Sequence, residues 1–228
     1  MTRLLDILLS GLALLLLSPL LIPLAIALRL TGEGEIFFVQ KRVGLGGQTF
    51  GLYKFATMLK DSPSLGTGTV TVKDDPRVLP LGKFLRKTKI NELPQLINIL
   101  TGDMSIIGPR PQTQRCFDAF PLRSQDEIKT VRPGLSGVGS IVFRGEEDMM
   151  HASADPDHFY DNIIMPYKGL LEEWYVHNQT LTVYLKCIWF TIVAVLRRES
   201  QAVWSGFKDL PTPPAELAEA VNWPGKAS

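Results

Sequence analysis

Twenty-two consecutive residues, 7 to 28, carry no charge and are bracketed by Asp6 and Arg29. As a helix rising about 1.5 Å per residue, such a run matches a hydrocarbon core roughly 30 Å thick. The chain is therefore expected to insert this segment in a bilayer and to fold the rest beside it. A cleaved leader is the rival reading, since Ala25 and Ala27 form a small-x-small pattern. Two features argue against it: the basic residue ahead of the run, Arg3, is offset by Asp6, and the run is longer than the apolar part of a typical leader.

Inside the run, Pro19 follows Ser18, and Pro23 comes one turn later. Each proline removes a donor and crowds the carbonyl four residues back. A sharp bend is expected at Ser18-Pro19, with the serine hydroxyl able to bond the released carbonyl. A bent helix can enter and leave a membrane by one face. A kinked spanning helix is the alternative, but its freed backbone would need neighbours, and the chain has no second 18-residue apolar stretch. Physical chemistry alone leaves the two balanced.

Net charge is +1, yet the charges are unevenly spread. Residues 36 to 144 hold 16 Lys and Arg against 8 Asp and Glu, whereas residues 145 to 228 hold 6 against 12. A cationic middle suits phosphates, nucleic acid or anionic lipid, and its sign does not choose among them. With 45% hydrophobic and 21% charged residues, collagen-like, low-complexity and wholly disordered chains are excluded, and one sizeable core is expected. Cys116 and Cys187 lie 71 residues apart, which argues against a disulfide-framed module and a four-ligand zinc site; a metal would be held by oxygen.

Residues 36 to 39 and 50 to 55 read as strands around a turn at Gly44, Gly46 and Gly47; those glycines suit a hairpin or, as a second reading, a phosphate loop. Residues 61 to 74, rich in Ser, Gly and Thr, read as an excursion loop and candidate lid. Residues 79 to 88 are expected to form a helix with Leu81, Phe84 and Leu85 on one face and Lys83, Arg86 and Lys87 on the other. A second short helix is expected from Asn91 as N-cap, through a core stripe of Leu93, Leu96, Ile97 and Leu100, to Gly102. Residues 138 to 143 favour a strand, and Pro166 opens a long helical stretch. Residues 180 to 196 form a helix with Leu181, Leu185, Ile188, Trp189, Ile192 and Leu196 on one face, suited to core packing or to a membrane interface. The tail from Pro211 reads as a short helix with frayed surroundings.

Arg86, Lys87, Lys89, Glu92, Arg110 and Arg132 fall in turns or helix ends within 47 residues. Forked guanidinium donors, a helix N-terminus and a carboxylate able to hold a divalent ion together suit a diphosphate. From the pattern alone, Glu92 is equally well a first-turn acid complementing a helix dipole, and the arginines a solvated face.

Six strings make the reading specific: Lys41-Arg42-Val43-Gly44, Tyr53-Lys54-Phe55-Ala56-Thr57-Met58, Asp75-Pro76-Arg77-Val78, Leu85-Arg86-Lys87-Thr88-Lys89-Ile90-Asn91-Glu92-Leu93-Pro94-Gln95-Leu96, Gly102-Asp103-Met104-Ser105-Ile106-Ile107-Gly108-Pro109-Arg110-Pro111 and Val131-Arg132-Pro133-Gly134-Leu135-Ser136-Gly137. Through them the chain resembles, from about residue 1 to 200, the bacterial sugar transferase family, the polyprenyl-phosphate hexose-1-phosphate or monotopic phosphoglycosyl transferases. The resemblance implies an enzyme that moves a sugar-1-phosphate from a UDP-sugar to undecaprenyl phosphate, releases UMP and starts a surface glycan. It implies a location on the cytoplasmic face of the bacterial inner membrane, a re-entrant anchor broken at a Ser-Pro pair, matched by Ser18 and Pro19, and magnesium (Mg2+) as cofactor.

In the family an Asp-Glu dyad carries the reaction: the Asp attacks the phosphate nearer the sugar and the Glu helps hold magnesium. Here the matching pair is Asn91-Glu92. A neutral amide is a poor nucleophile, so the covalent step is not carried over to Asn91. Glu92 as nucleophile, direct transfer between the two substrates, an inactive paralogue and a substituted residue all stay open. Ala56 is a second departure, standing where the family usually has arginine. Carried over position by position, Arg86, Arg110 and Lys54 are expected at phosphate and Glu92 at metal, with Asp103, Lys87 and Arg132 in support. For Asp103 a turn-fixing role is the equal alternative.

The expected architecture is α/β: a re-entrant membrane helix over residues 1–30, a compact cytosolic catalytic core with a small strand component and amphipathic interfacial helices over 31–200, and a tail over 201–228. Its partners would be a UDP-sugar, polyprenyl phosphate and membrane lipids. Nucleic acid is not expected, because helix-turn-helix punctuation and aromatic-interleaved basic strands are missing. A homo-oligomer stays open, as does a non-catalytic membrane-bound paralogue that binds nucleotide-sugar or polyprenyl phosphate within a glycan assembly machinery.

Overall fold

Leucine and alanine, both good helix formers, fill residues Thr2–Leu30, and in the computed structural model this segment is one helix, α1. The structure describes residues 2–31, 33–62, 75–151, 153, 155–197, 201–207 and 209–225, with the backbone alone at 147, 148, 151, 197 and 201. Pro19 cannot donate to the carbonyl of Leu15, four residues back, and the Ser18 hydroxyl takes that place, donating to Leu15 O at 2.7 Å. The expected serine repair of the proline defect is therefore present. Leu15, Leu16 and Ile22 stand exposed, and α1 is long and apolar enough to cross a bilayer.

Beyond α1 the chain runs β1 (Phe37–Val43), β2 (Thr49–Phe55), α2 (Pro80–Lys87), α3 (Gln95–Thr101), β3 (Ser105–Ile107), α4 (Gln114–Asp118), α5 (Leu122–Ile128), β4 (Gly134–Ser136) and α6 (Val138–Val142). Then follow α7 (Glu146–His151), α8 (Pro156–Phe159), α9 (Met165–His177), α10 (Leu181–Arg197), α11 (Gln201–Gly206) and α12 (Ala215–Ala218). The fold thus mixes helix and strand, with little sheet. β1 and β2 pair around a turn at Leu45–Gly47, where Gly46 and Gly47 have φ of 67° and 74°, which only glycine adopts without strain. The hairpin reading of this glycine cluster is the one the structure bears out.

Two compact units are formed. One comprises Ile7–Lys41 and Gly51–Gly102. Its core is Leu28, Phe55 and Leu85, flanked by Leu21, Leu24, Ala25, Ile36, Leu81 and Ile90. The Asn98 side chain binds α3 to β2, accepting from Tyr53 N at 2.9 Å and donating to Gly51 O at 2.8 Å. At the start of α2 a side chain on Gly82 would come within 2.1 Å of Thr57 O, so glycine lets the helix press on the strand's end. Asp75 and Arg77, both buried, form a bidentate pair at 2.6 and 2.9 Å, and Arg77 Nη1 also donates to Ser62 O. The candidate lid lies, except for residues 61 and 62, outside the described residues.

The other unit comprises Met1–Asp6, Arg42–Phe50 and Asp103–Ser228. β3 and β4 pair in parallel, Ser105 opposite Gly134 and Ile107 opposite Ser136. Around them α6, α9 and α10 bury Val138, Ile141, Tyr167, Leu171, Tyr184 and Cys187. A smaller cluster joins Val43, Phe117, Phe120, Ile128 and Met165.

Four expectations give way. Residues 138 to 142 are helix and not strand: Val138, Gly139, Ile141 and Val142 are buried at helical spacing, so packing overrides β-branched preference. Asn91 does not cap a helix; it lies in a 3-10 turn, Ile90–Glu92, and α3 starts after Pro94 without a side-chain cap. The buried side of α3 is Gln95, Leu96, Asn98 and Ile99, while Leu100 faces out. The tail is docked and not frayed, with Leu217 and Val221 fully buried and Trp204 Nε1 donating to Val221 O at 3.0 Å. Proline and alanine had suggested looseness, but two apolar side chains four residues apart sufficed to bind it.

Candidate active site

In the unit built on Ile7–Lys41 and Gly51–Gly102, α2 ends in Arg86 and Lys87, and the chain reverses at Lys89. Lys89 has φ 60°, ψ 10°, a left-handed conformation that costs a non-glycine residue about 1–3 kcal/mol and tends to persist at functional sites. Backbone bonds lock the reversal: Lys89 N to Arg86 O at 3.2 Å and Glu92 N to Lys89 O at 3.1 Å. Glu92 is thereby carried immediately beyond the cationic end of α2. Arg86 Nη1 lies 3.5 Å from the sulfur of Met58, in the segment that follows β2, and half-buried Lys54 projects from that strand.

Asn91, at 7% exposure, has a buried Oδ1 with no partner among the described residues, and Gln95, at 2%, has a buried Nε2 in the same state. Unsatisfied buried amides are rare and costly, and they cluster where a ligand, water or ion belongs. Ala56, where the resembling family usually has arginine, is buried, and its N–H donates to Ile36 O at 2.9 Å.

In the unit containing Asp103–Ser228, Arg110 follows β3 and Arg132 precedes β4; the parallel register alone would put them at opposite ends of the pair, and it is the Gly108-Pro109 turn, folded back onto β4, that brings the two segments together. Gly134 N donates to Pro109 O at 2.8 Å, Ser105 N to Pro133 O at 2.9 Å and Gly108 N to Ser136 O at 2.9 Å. Side chains at 108, 134 or 137 would strike backbone atoms at 2.5, 2.1 and 2.2 Å, which explains three of the glycines in these motifs. Asp103 is exposed in the link before β3. Each unit thus gathers its own share of the expected residues: Lys54, Arg86, Lys87, Asn91 and Glu92 in one, Asp103, Arg110 and Arg132 in the other. Ser18 and Pro19 lie in α1.

Sequence reasoning passed over a buried polar group beneath the Arg110 turn. On α9, Lys168 and Glu172 are 2% and 1% exposed, and Lys168 Nζ is held by Glu146 Oε2 at 2.7 Å. Burial pushes the Glu172 carboxyl up to about 7, with Lys168 and Arg110 pulling in the opposite direction. Tyr175 Oη donates to Ile107 O at 3.0 Å. Their signal in the sequence was an ionisable pair at i, i+4 on a helix that also carries Tyr167, Leu171 and Tyr175. No three His, Cys, Asp or Glu side chains converge among the described residues.

Comparison with known proteins adds identity to this geometry. The chain is 38% identical over 161 residues to UDP-N-acetylgalactosamine-undecaprenyl-phosphate N-acetylgalactosaminephosphotransferase of Aeromonas hydrophila, covering 68% of this chain and 37% of that protein. It is 40% identical over 153 residues to UDP-glucose:undecaprenyl-phosphate glucose-1-phosphate transferase of Escherichia coli, covering 64% and 32%. Against the exopolysaccharide production protein ExoY of Sinorhizobium fredii it is 34% identical over 171 residues, covering 69% and 75%. The match thus spans only about a third of the length of the first two relatives. The model of the bacterial sugar transferase family matches residues 1–198, and the chain belongs to that family.

Proposed function

We propose that this protein transfers a sugar-1-phosphate from a UDP-sugar to undecaprenyl phosphate at the cytoplasmic face of the bacterial inner membrane, releasing UMP and initiating a surface glycan. The observation that carries the reading is the strained reversal at Lys89, which delivers Glu92 directly after Arg86 and Lys87 inside a motif of the family. The names of the relatives supply the substrate classes.

In the transfer, the bond between the sugar-bearing phosphorus and the oxygen bridging to UMP breaks, and an oxygen of the lipid phosphate bonds to that phosphorus. In one unit Arg86 and Lys54 would neutralise and orient phosphate oxygens, with Lys87 adding positive field; in the other, Arg110 is the phosphate-binding candidate, with Arg132 in support. Magnesium commonly uses one or two carboxylates plus substrate phosphates, so Glu92 with a diphosphate fits it, and no group of three acidic, His or Cys side chains that could cage it is found among the described residues. Bound there, the ion would offset negative charge on the diphosphate.

One substrate is a soluble nucleotide and the other a lipid, so the reaction belongs at the headgroup level. Supporting that placement, α10 leaves Leu185, Trp189, Ile192 and Leu196 exposed while Tyr184, Cys187 and Ala194 face the core. Phe84 on α2 is exposed between Lys83 and Lys87. We take α1 to be a re-entrant anchor, with Ser18-Pro19 at its bend.

The test is a panel of UDP-sugars incubated with the membrane-reconstituted protein, undecaprenyl phosphate and magnesium, with UMP as readout. UMP release that depends on lipid phosphate, magnesium and Glu92 is the expected outcome. No UMP from any sugar nucleotide overturns the proposal.

A further inference from the structure

The Glu172 carboxylate is sealed inside the unit that carries Arg110. It is 1% exposed, and neither oxygen makes a hydrogen bond of ordinary geometry to a described residue, although the Arg110 backbone N–H is turned toward it. A buried, unpaired carboxylate is costly enough that packed alternatives would displace it unless its charge were used. Its neighbours explain where that charge acts. From α6, a side chain on Gly139 would fall 2.3 Å from Glu172 Oε1, so glycine lets that helix close over the carboxylate where it stands. Two residues earlier, Gly137 leaves room for Gly108 O, the first residue of the turn that presents Arg110. One turn further along α9, Tyr175 grips Ile107 O at 3.0 Å. α9 thus holds the end of β3 through Tyr175 and reaches the turn itself through Glu172.

We propose that Glu172 is a positioning residue for Arg110, a sealed counter-charge that sets the arginine turn in place and gives up its own ionisation when an anion occupies the arginine. The class of that anion, a nucleoside diphosphate-sugar, rests on the function proposed above.

The groups facing Glu172 make the coupling specific. Lys168, one turn earlier on α9, is occupied by Glu146 of α7 at 2.7 Å. Tyr175 on α9 and Cys187 on α10 are both pushed up by burial and stay neutral near pH 7; Asp6 acts on Tyr175. Arg110 is the facing cation that the function proposed above assigns to phosphate, and it is among the groups that favour the ionised carboxylate. Cancelling its charge raises the affinity of Glu172 for a proton, so ligand binding takes up a proton near neutrality and weakens as pH rises.

The experiment uses the full chain in lipid nanodiscs, wild type and E172Q, with UDP-glucose and UDP-N-acetylgalactosamine as probes whose diphosphate does not titrate near neutrality. Calorimetry in buffers of different ionisation enthalpy should show proton uptake by wild type and none by E172Q. Wild-type affinity should fall roughly threefold to tenfold between about pH 6 and 8, against a flat profile for E172Q. Without ligand, amide exchange across residues 105–112 should be faster in E172Q. Uptake and pH slope unchanged in E172Q, or unchanged exchange, overturn the proposal. Absent probe binding with faster exchange would remove the proposed function and leave the positioning role intact. Should E172Q fail to fold, E172D takes its place: a retained slope with weaker binding supports the role, and a lost slope refutes it.

Discussion

Asp6 accepts a hydrogen bond from Tyr184 Oη at 2.8 Å, joining residues 178 apart in the chain. The same carboxylate accepts from Ser105 Oγ at 2.9 Å and from Ile106 N at 2.9 Å. One buried acid just ahead of the apolar run thus fastens the start of α1 to β3 and α10. Removing it would orphan three donors in a buried site, so Asp6→Ala is expected to cost about 2–4 kcal/mol, and Tyr184→Phe about 1–2 kcal/mol. In thermal unfolding of the detergent-solubilised protein, a double-mutant cycle should return a coupling of about 1 kcal/mol or more. Additive losses would show that the two groups act apart.

Glycine at 137 is required by backbone and not by a movable side chain. Gly137→Ala should therefore lose about 2 kcal/mol or more and impair sugar-nucleotide binding by shifting the Arg110 turn. Gly46→Ala has open space around it and only its φ of 67° to strain it, so about 1 kcal/mol and intact binding are expected. Chemical unfolding and equilibrium binding on both variants check the contrast.

Glu172 makes stability depend on pH in a defined direction. Its ordinary value is 4.5 and its folded value about 7, so below 4.5 the folded and unfolded chains both hold the proton and no difference arises. Between 4.5 and about 7 the unfolded chain releases the proton and the folded one keeps it; the stability present at low pH is lost over this window. The full loss is on the order of 3 kcal/mol. Melting temperatures of wild type and E172Q should diverge through this interval, with the glutamine variant gaining in relative terms, and run parallel above pH 8 or so.

Under the proposed function, variants at Glu92 and Asn91 would separate chemistry from binding. Glu92→Gln should reduce UMP release by on the order of 10²–10³ while leaving the fold intact. Asn91→Asp restores the carboxylate the family uses, and intact-mass measurement should then detect a sugar-phosphate adduct absent from wild type. Wild-type turnover without adduct means direct transfer between substrates. A silent wild type revived by Asn91→Asp would mark the native chain as a binding paralogue.

The long apolar helix, α2, the Arg110 and Arg132 turns and the glycine hairpin were legible because each depends on local rules: absent charge, period 3.6, proline and glycine geometry. Residues 138 to 142 were misread because β-branched residues buried in a helix look the same in sequence as those in a strand. Asn91 carries a good capping side chain, but the left-handed Lys89 beside it spent the turn on reversal, and no local pattern announces a strained lysine. Glu172 was passed over because the sequence shows it only four residues after Lys168; packing of α6 against α9, with Gly139 over its carboxylate, made it a sealed acid.

By itself the chain's sequence determined that a long uncharged helix opens it, that a cationic set of motifs follows, and which family owns them, since these reside in composition and short strings. The tertiary structure alone decided which acids are buried, which apolar faces of α2 and α10 stay exposed, and which buried amides lack partners among the described residues. Burial and pairing arise from segments far apart in the chain, and a charge's cost or use is set by the dielectric and neighbours that packing supplies.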